Sequence, residues 1–470
     1  MFFKYFFDEN LAQMSYMVGC QATGEALVVD PARDITPYLE TAEAEGFNIT
    51  ATTETHIHAD FVSGARELSK RTNAKLYLSN EGGGDWEYQY LNDVDHELLN
   101  DDDKFYIGKV RFDVIHTPGH TPESISFLLT DEGGGSEVPM GIFTGDFVFV
   151  GDVGRPDLLE KAAGEEGTSE KGAHQMFESL KKFKELPDYV QIWPGHGAGS
   201  ACGKSLGAVP LSTVGYEKIN NWAVKEENED DFVKNLLDGQ PEPPKYFAMM
   251  KKINREGPDF LEDKDLEQIS IDKLADYKKE DAIILDTRPK QKFAKGHLEG
   301  TINIPFNKSF ANWAGWMMDY DKDIILITNE EETYDINLIL QSIGLDRAVA
   351  YVKSEEVSKQ SNLETYENIS PKELHEKYSN DDDYVTIDVR EESEWNEGHL
   401  EDAKHIFIGT LPDRLDEIPE GKTPIVHCLS GARSAIATSV LQKNGYKDVK
   451  NLEGGFDAWV KEAMPVVEEK

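Results

Sequence analysis

The chain has 470 residues, 39% of them hydrophobic and 29% charged, which is too long for one ordinary core and implies two to four domains. Its 48 Lys and Arg stand against 89 Asp and Glu, and the field of that net charge of −41 repels nucleic acid and anionic membranes, so neither is an expected partner. Three widely spaced cysteines, Cys20, Cys202 and Cys428, make neither a disulfide framework nor a four-thiolate zinc site and fit a reducing compartment.

In chain order, the apolar start Met1-Phe2-Phe3-Lys4-Tyr5-Phe6-Phe7 stops at Asp8-Glu9-Asn10, too short for a membrane span or secretory segment, so a cytoplasmic location is expected. Ser15-Tyr16-Met17-Val18 reads as an early strand, which makes Cys20 a core residue. Ala26–Val29, Ile49–Thr53 and Val110–Ile115 read as further strands. Amphipathic stretches at Ile35–Glu45 and His174–Lys184 interleave with them, which predicts an α/β sandwich. The Pro-rich Gln240–Pro244 leads into a packed Tyr246–Met250, so the first domain is expected to span 1–258.

Histidines and acids collect just past these apolar runs. Thr55-His56-Ile57-His58-Ala59-Asp60 follows the Ile49–Thr53 run. Thr117-Pro118-Gly119-His120, Thr144-Gly145-Asp146 and Pro194-Gly195-His196 each follow another. Singly, each His is most simply a satisfied structural residue; as an ordered set they are expected to hold a divalent metal at one end of a sheet.

This ordered set resembles the metallo-β-lactamase superfamily over about residues 1–255, which implies an αββα sandwich. Two-metal members carry a further His directly after the Asp of the first motif; here that position is Phe61, which points to one metal. The pattern is similar to the persulfide dioxygenase branch, and the resemblance implies Fe(II), one per chain, on His56, His120 and Asp146. Two imidazoles and one carboxylate on one face leave positions open for O2 and a soft persulfide sulfur. His58, Asp60 and His196 are then expected to orient those ligands by hydrogen bonds, with direct zinc ligation as the alternative. Arg155 could face an anionic substrate or pair with Asp152 or Asp157. Cys202, six positions beyond His196 in a Gly-rich loop, could reach the metal cleft as a thiolate favoured by Lys204, or be a spectator.

The second half repeats itself. Asp286-Thr287-Arg288 with Gly296-His297-Leu298 recurs without a gap as Asp388-Val389-Arg390 with Gly398-His399-Leu400, 102 positions on, so two α/β modules are predicted at 262–356 and 365–466. Each resembles a rhodanese module. In the second, the buried strand Thr423–His427 leads into Cys428-Leu429-Ser430-Gly431-Ala432-Arg433 and a helical pattern at Ser434–Lys443. A cysteine there can be served as thiolate or persulfide by backbone N–H groups, with Leu429, Ser430, Gly431 and Ala432 cradling substrate and Arg433 adding a charge. The first copy has Thr328-Asn329-Glu330-Glu331-Glu332-Thr333 at that place, with neither cysteine nor arginine, and cannot carry a persulfide.

Taken together, the order of domains resembles the persulfide dioxygenase/sulfurtransferase fusions of sulfide detoxification. The resemblance implies oxidation of a small thiol persulfide by O2 to sulfite and thiol, transfer of a sulfur held on Cys428 to give thiosulfate, and a dimer or tetramer of like chains. Two rivals are a zinc thioester hydrolase similar to glyoxalase II with an appended sulfurtransferase, and a binding protein with a structural metal.

Overall fold

The computed structural model describes residues 1–158, 160, 167–204, 206–261, 265–378 and 382–468. Its contacts divide the chain into two compact units, Met1–Asp263 with Gln341–Gly344, and Lys264–Leu340 with Leu345–Lys470. The expected start of the middle module, residue 262, lies outside the described residues.

The first unit is two six-stranded sheets with helices outside. One sheet runs Phe2–Asp8, Gln13–Cys20, Glu25–Val29, Asn48–Thr53, Lys75–Ser79, His96–Leu99, antiparallel at its first two pairings and parallel thereafter. The other runs Ser212–Thr213, Gln191–Pro194, Gly141–Gly145, Ile125–Asp131, Val110–His116, Lys104–Ile107. Period-two alternation sets the faces: in Val110–His116 the side chains of Val110, Phe112 and Val114 are buried. They meet Tyr16, Val18, Leu27, Phe127, Phe143 and Trp193 between the sheets. Helices Thr36–Glu45 and Thr168–Glu185 cover the outer faces, as their amphipathic patterns require.

The helix Tyr246–Glu256, past the Pro-rich stretch, fastens a loop of the first sheet. Its Asn254 donates from Nδ2 to the carbonyls of His58 and Phe61, each at 2.7 Å, and accepts from Ser63 N at 2.9 Å.

In the second unit each copy of the repeat has its own five-stranded parallel sheet. The strands run Glu267–Gln268, Ala348–Lys353, Ile324–Thr328, Ile283–Asp286, Ile302–Asn303 in the first. In the second they run Glu367–Ile369, Lys450–Leu452, Thr423–His427, Tyr384–Asp388, Lys404–His405, the same topology. The repeated Asp-x-Arg closes the second strand of each copy: Arg288 folds back on Asp286 and the Gly296 carbonyl, Arg390 on Asp388 and the Gly398 carbonyl. Among the described residues no helix is long and apolar enough to cross a membrane.

Phe127 fills the inter-sheet core of the first unit with no exposed surface. Phe127→Ala is expected to lower the stability of that unit by about 3–5 kcal/mol in urea unfolding, through lost transfer energy and an unfilled cavity.

Candidate active sites

Four strand ends of the first unit converge. Thr55, His56, His58 and Asp60 follow the strand ending at Thr53, and His120 follows the one ending at His116. Asp146 and His196 follow the parallel pair Gly141–Gly145 and Gln191–Pro194. All are buried. Space at the junction is tight: Gly145 sits at φ +49°, and a Cβ there would lie 2.2 Å from Thr55 Oγ1.

His56, His120 and Asp146 each offer a ligand atom, all within 4.8 Å of one another. Asp146 Oδ2 lies 3.9 Å from His56 Nε2 and 3.5 Å from His120 Nε2. The hydrogen bonds at the far side of each ring fix the tautomers. His120 Nδ1 is 2.9 Å from the Arg155 carbonyl, which can only accept, so Nδ1 carries the proton and Nε2 the lone pair. Thr55 Oγ1 donates to Asp30 Oδ2 at 2.9 Å and so accepts from His56 Nδ1 at 3.0 Å, again freeing Nε2. Burial pushes both His56 and His120 below the usual imidazole range, so both are neutral near pH 7. His56 Nε2 and Asp146 Oδ2 are buried without a hydrogen-bond partner among the described residues. An orphaned buried polar atom costs about 1–3 kcal/mol, so this face fits a metal ion that takes up its lone pairs.

The other three residues of the set have different partners. His58 Nε2 lies 3.2 Å from Asp30 Oδ1, and its ring rests against the buried Phe61 at 4.4 Å between centroids. His196 stands between two carboxylates, Asp146 Oδ1 at 2.7 Å and Asp60 Oδ2 at 2.6 Å. Burial opposes its charge, but Asp146 and Asp60 outweigh it and hold His196 well above the ordinary range. Burial likewise opposes ionised Asp146, yet the neighbouring His196 keeps its carboxyl low.

Asp60, His196 and Cys202 form a second group of ligand atoms within 4.8 Å. Cys202 thus reaches the metal cleft, but not as an accessible thiolate. It is as buried as Cys428, each 1% exposed, but burial followed by Asp60 and Asp146 drives the Cys202 thiol well up. Lys204 cannot offset this, since its Nζ bonds the Asp238 carbonyl at 2.7 Å. Of the two roles open to Arg155, the pair with Asp157 is present: the wholly buried side chain clamps that carboxylate at 2.7 and 2.6 Å and the Pro241 carbonyl at 2.7 Å, while its Nη1 has no hydrogen-bond partner among the described residues. Cys20 is buried in the inter-sheet core.

Sequence reasoning missed Asp30, which has the same strand-end placement as the ligands. At φ +50°, a conformation Asp tolerates, it receives Thr55 N at 2.7 Å, Thr55 Oγ1 and His58 Nε2. It also missed two buried glutamates, Glu54 and Glu123, each pushed up to about 7 by burial.

In the second unit Cys428 lies between the strand Thr423–His427 and the helix Arg433–Lys443. Gly431 N donates to its Sγ at 3.1 Å. Two carbonyls of the loop are drawn outward by the start of the helix Gly455–Lys461: Phe456 N reaches Cys428 O at 2.7 Å, and Asp457 N reaches Leu429 O at 2.9 Å. Gly431 is buried, whereas Leu429, Ser430 and Ala432 form an exposed rim. Arg433 does not present a free charge: its Nη1 and Nη2 clamp Glu394 at 2.6 and 2.7 Å. Burial works against that carboxylate, yet Arg433 keeps Glu394 below the usual range. In the first copy Asn329 stands after the strand in place of the cysteine. Its side chain is closed onto Glu332 at 2.9 Å and Ser354 at 2.6 Å.

The Metallo-beta-lactamase superfamily profile matches residues 9–196, and that of the Rhodanese-like domain matches 270–354 and 370–462. A crystal structure of a metallo-beta-lactamase from Staphylococcus aureus subsp. aureus COL is 47% identical, covers 75% of this chain and 99% of its own, and superposes with a TM-score of 0.68. The chain belongs to the metallo-β-lactamase superfamily. Its second unit carries two rhodanese-like domains, and 99 residues are 33% identical to a sulfurtransferase of Allochromatium vinosum, covering 21% of this chain and 92% of that protein. A hydroxyacylglutathione hydrolase of Rhodospirillum rubrum is 31% identical over 181 residues, covering 38% of this chain and 60% of that relative's length. The chain therefore joins a metallo-β-lactamase-superfamily domain, with buried His and Asp groups suited to a metal, to two rhodanese-like domains.

Asp30→Ala frees Thr55 and, through it, His56; metal affinity in a competitive chelator titration is expected to fall roughly tenfold or more. Glu123 is raised from the ordinary 4.5 to about 7 by burial. A raised carboxyl keeps its full stability below the unfolded value and loses it as pH rises through the folded one. The stability gain of Glu123→Gln over the wild type should therefore grow from pH 4.5 to 7 and then level off in urea titrations.

Proposed function

We propose that the first unit is a persulfide dioxygenase and that Cys428 is a sulfurtransferase nucleophile acting on its product. The observation that carries this reading is the open face of His56 Nε2, His120 Nε2 and Asp146 Oδ2, with His58 and His196 both turned to carboxylates. These three residues would hold one metal ion, and a set of only three protein ligands suits chemistry on two small reactants. Fe(II) held there, one per chain, supplies redox chemistry able to join O2 to a soft sulfur nucleophile. The protein groups prepare the site: Thr55 and the Arg155 carbonyl aim the two imidazoles, and His196 fixes the Asp146 carboxylate. The net reaction consumes R–S–SH, O2 and water and yields R–SH, sulfite and two protons. The Cys428 thiolate takes the outer sulfur of a second R–S–SH, releasing R–SH, holds it as Cys–S–S⁻ beside the Gly431 N–H and passes it to sulfite, which becomes thiosulfate while the Cys428 thiolate is restored.

A second reading draws on the group Asp60, His196 and Cys202, which would make a two-metal centre for thioester hydrolysis, the reaction class of hydroxyacylglutathione hydrolase. Oxygen uptake by anaerobically prepared, Fe(II)-loaded chain on adding glutathione persulfide decides between them. Uptake is expected in the wild type and in Cys428→Ser, with sulfite accumulating in the variant in place of thiosulfate, and His120→Ala is expected to lose uptake. No uptake from chain whose metal assay shows filled iron, with thioester hydrolysis by the zinc form, would establish the second reading.

A further inference from the structure

The catalytic loop lacks a free cation of its own. Arg433, which ends it, is neutralised by Glu394, and Glu391 and Glu392 lie on the same turn. The substrates of rhodanese chemistry are small sulfur oxyanions, and this acidic flank repels them.

The missing charge comes from the copy that has no cysteine. The 102-residue repeat aligns Lys290 with Glu392 and Lys292 with Glu394, so the first copy carries cations where the second carries acids. Lys290, half-buried, donates from Nζ to the Gly431 carbonyl at 2.8 Å. Gly431, at φ +83°, is the residue whose N–H meets Cys428 Sγ. A carbonyl turned into the cradle would oppose a bound anion. Those of Cys428 and Leu429 are held out by main-chain N–H groups, and that of Gly431 by Lys290. The mount is firm: Asn303 N donates to Ser439 Oγ at 3.0 Å, and Trp316 meets Phe407 edge-on at 5.4 Å between ring centroids. Beside the contact lies a cavity of about 460 Å³, lined by Arg288, Lys290, Lys292, Trp313 and Glu332 of the first copy and, in the second, by Ala432 of the loop and Ile436; the buried Cys428 does not line it.

We infer that Lys290 is the positioning residue and local cation of the Cys428 site, favouring small sulfur oxyanions, thiosulfate or sulfite, at the loop. The inference rests on Cys428 as the sulfur carrier. With thiosulfate, the Cys428 thiolate attacks the outer sulfur, the S–S bond breaks, and sulfite departs with the electron pair. Cys428 persulfide remains, with no outside oxidant or reductant. Lys290 acts on this step by keeping the Gly431 carbonyl turned away and by attracting the dianion.

The test uses the full chain at low salt and compares wild type, Lys290→Met and Lys290→Arg in two assays. One is alkylation of the Cys428 peptide by iodoacetate and by neutral iodoacetamide; the other is thiosulfate-to-cyanide sulfur transfer. Loss of one partly exposed cation should lower the iodoacetate-to-iodoacetamide rate ratio about fivefold and raise KM for thiosulfate to a similar extent. Lys290→Arg should restore most of both. An unchanged rate ratio and KM in Lys290→Met, with wild-type transfer that depends on Cys428, would overturn the inference alone. Wild-type transfer that survives Cys428→Ser would remove its foundation together with the sulfurtransferase half of the proposed function.

Discussion

Ionised Asp146 is buried, and the first active site is organised around keeping it so. A carboxylate taken out of water without partners costs several kcal/mol and is retained only where cations or strong donors surround it. One oxygen is committed to His196, and the other faces His56 and His120, whose free lone pairs cannot donate to it. A cation between them satisfies all three groups. Thr55, Asp30, the Arg155 carbonyl and the glycines at 145 and 154 then read as consequences. They hold the rings at their angles and keep side chains out of a space where a Cβ on Gly154 would lie 1.9 Å from the Asp146 carbonyl oxygen.

The same logic in opposite sign governs the second site. There the loop must present N–H groups to an anionic sulfur and turn its carbonyls elsewhere, so each carbonyl needs a donor on the far side. The helix beginning at Gly455 supplies two of these donors and Lys290 a third. A duplicated module that has lost its own cysteine keeps a use in this arrangement. Freed from presenting a cradle, its loop closes through Asn329, Glu332 and Ser354, while its neighbouring helix Lys290–Lys295 can carry the lysines that the catalytic copy cannot place beside Glu394.

Residue type and chain neighbours left two roles open to Arg155 and to Cys202 and gave Arg433 a fixed charge. Arg155 meets Asp157, one of the partners its chain neighbours offered, but the surroundings of Cys202 and Arg433 depend on carboxylates far off in sequence and on depth of burial. Arg433 meets Glu394, 39 residues away, and Cys202 faces Asp60 and Asp146. Lys204, adjacent in sequence to the Cys202 loop, is spent on Asp238. Chain neighbours that suggest a lowered thiol say little when through-space neighbours and desolvation raise it.

What the sequence determined by itself was periodic or local: alternating strands, amphipathic helices, the 102-residue repeat, and ligand types set just past apolar runs. Each of these follows from backbone geometry that repeats every two or about 3.6 residues. His56, His120, Asp146 and Cys428 were legible for that reason, because a residue that follows a buried strand is delivered to the sheet end whatever the rest of the chain does. Which lone pair each imidazole presents, which charges cancel, and which module serves the other were decided only in three dimensions. Asp30 is 25 residues from Thr55, and Lys290 is 141 from Gly431. Hydrogen bonds and ion pairs act over a few ångströms of space, and no local pattern in the chain encodes those meetings.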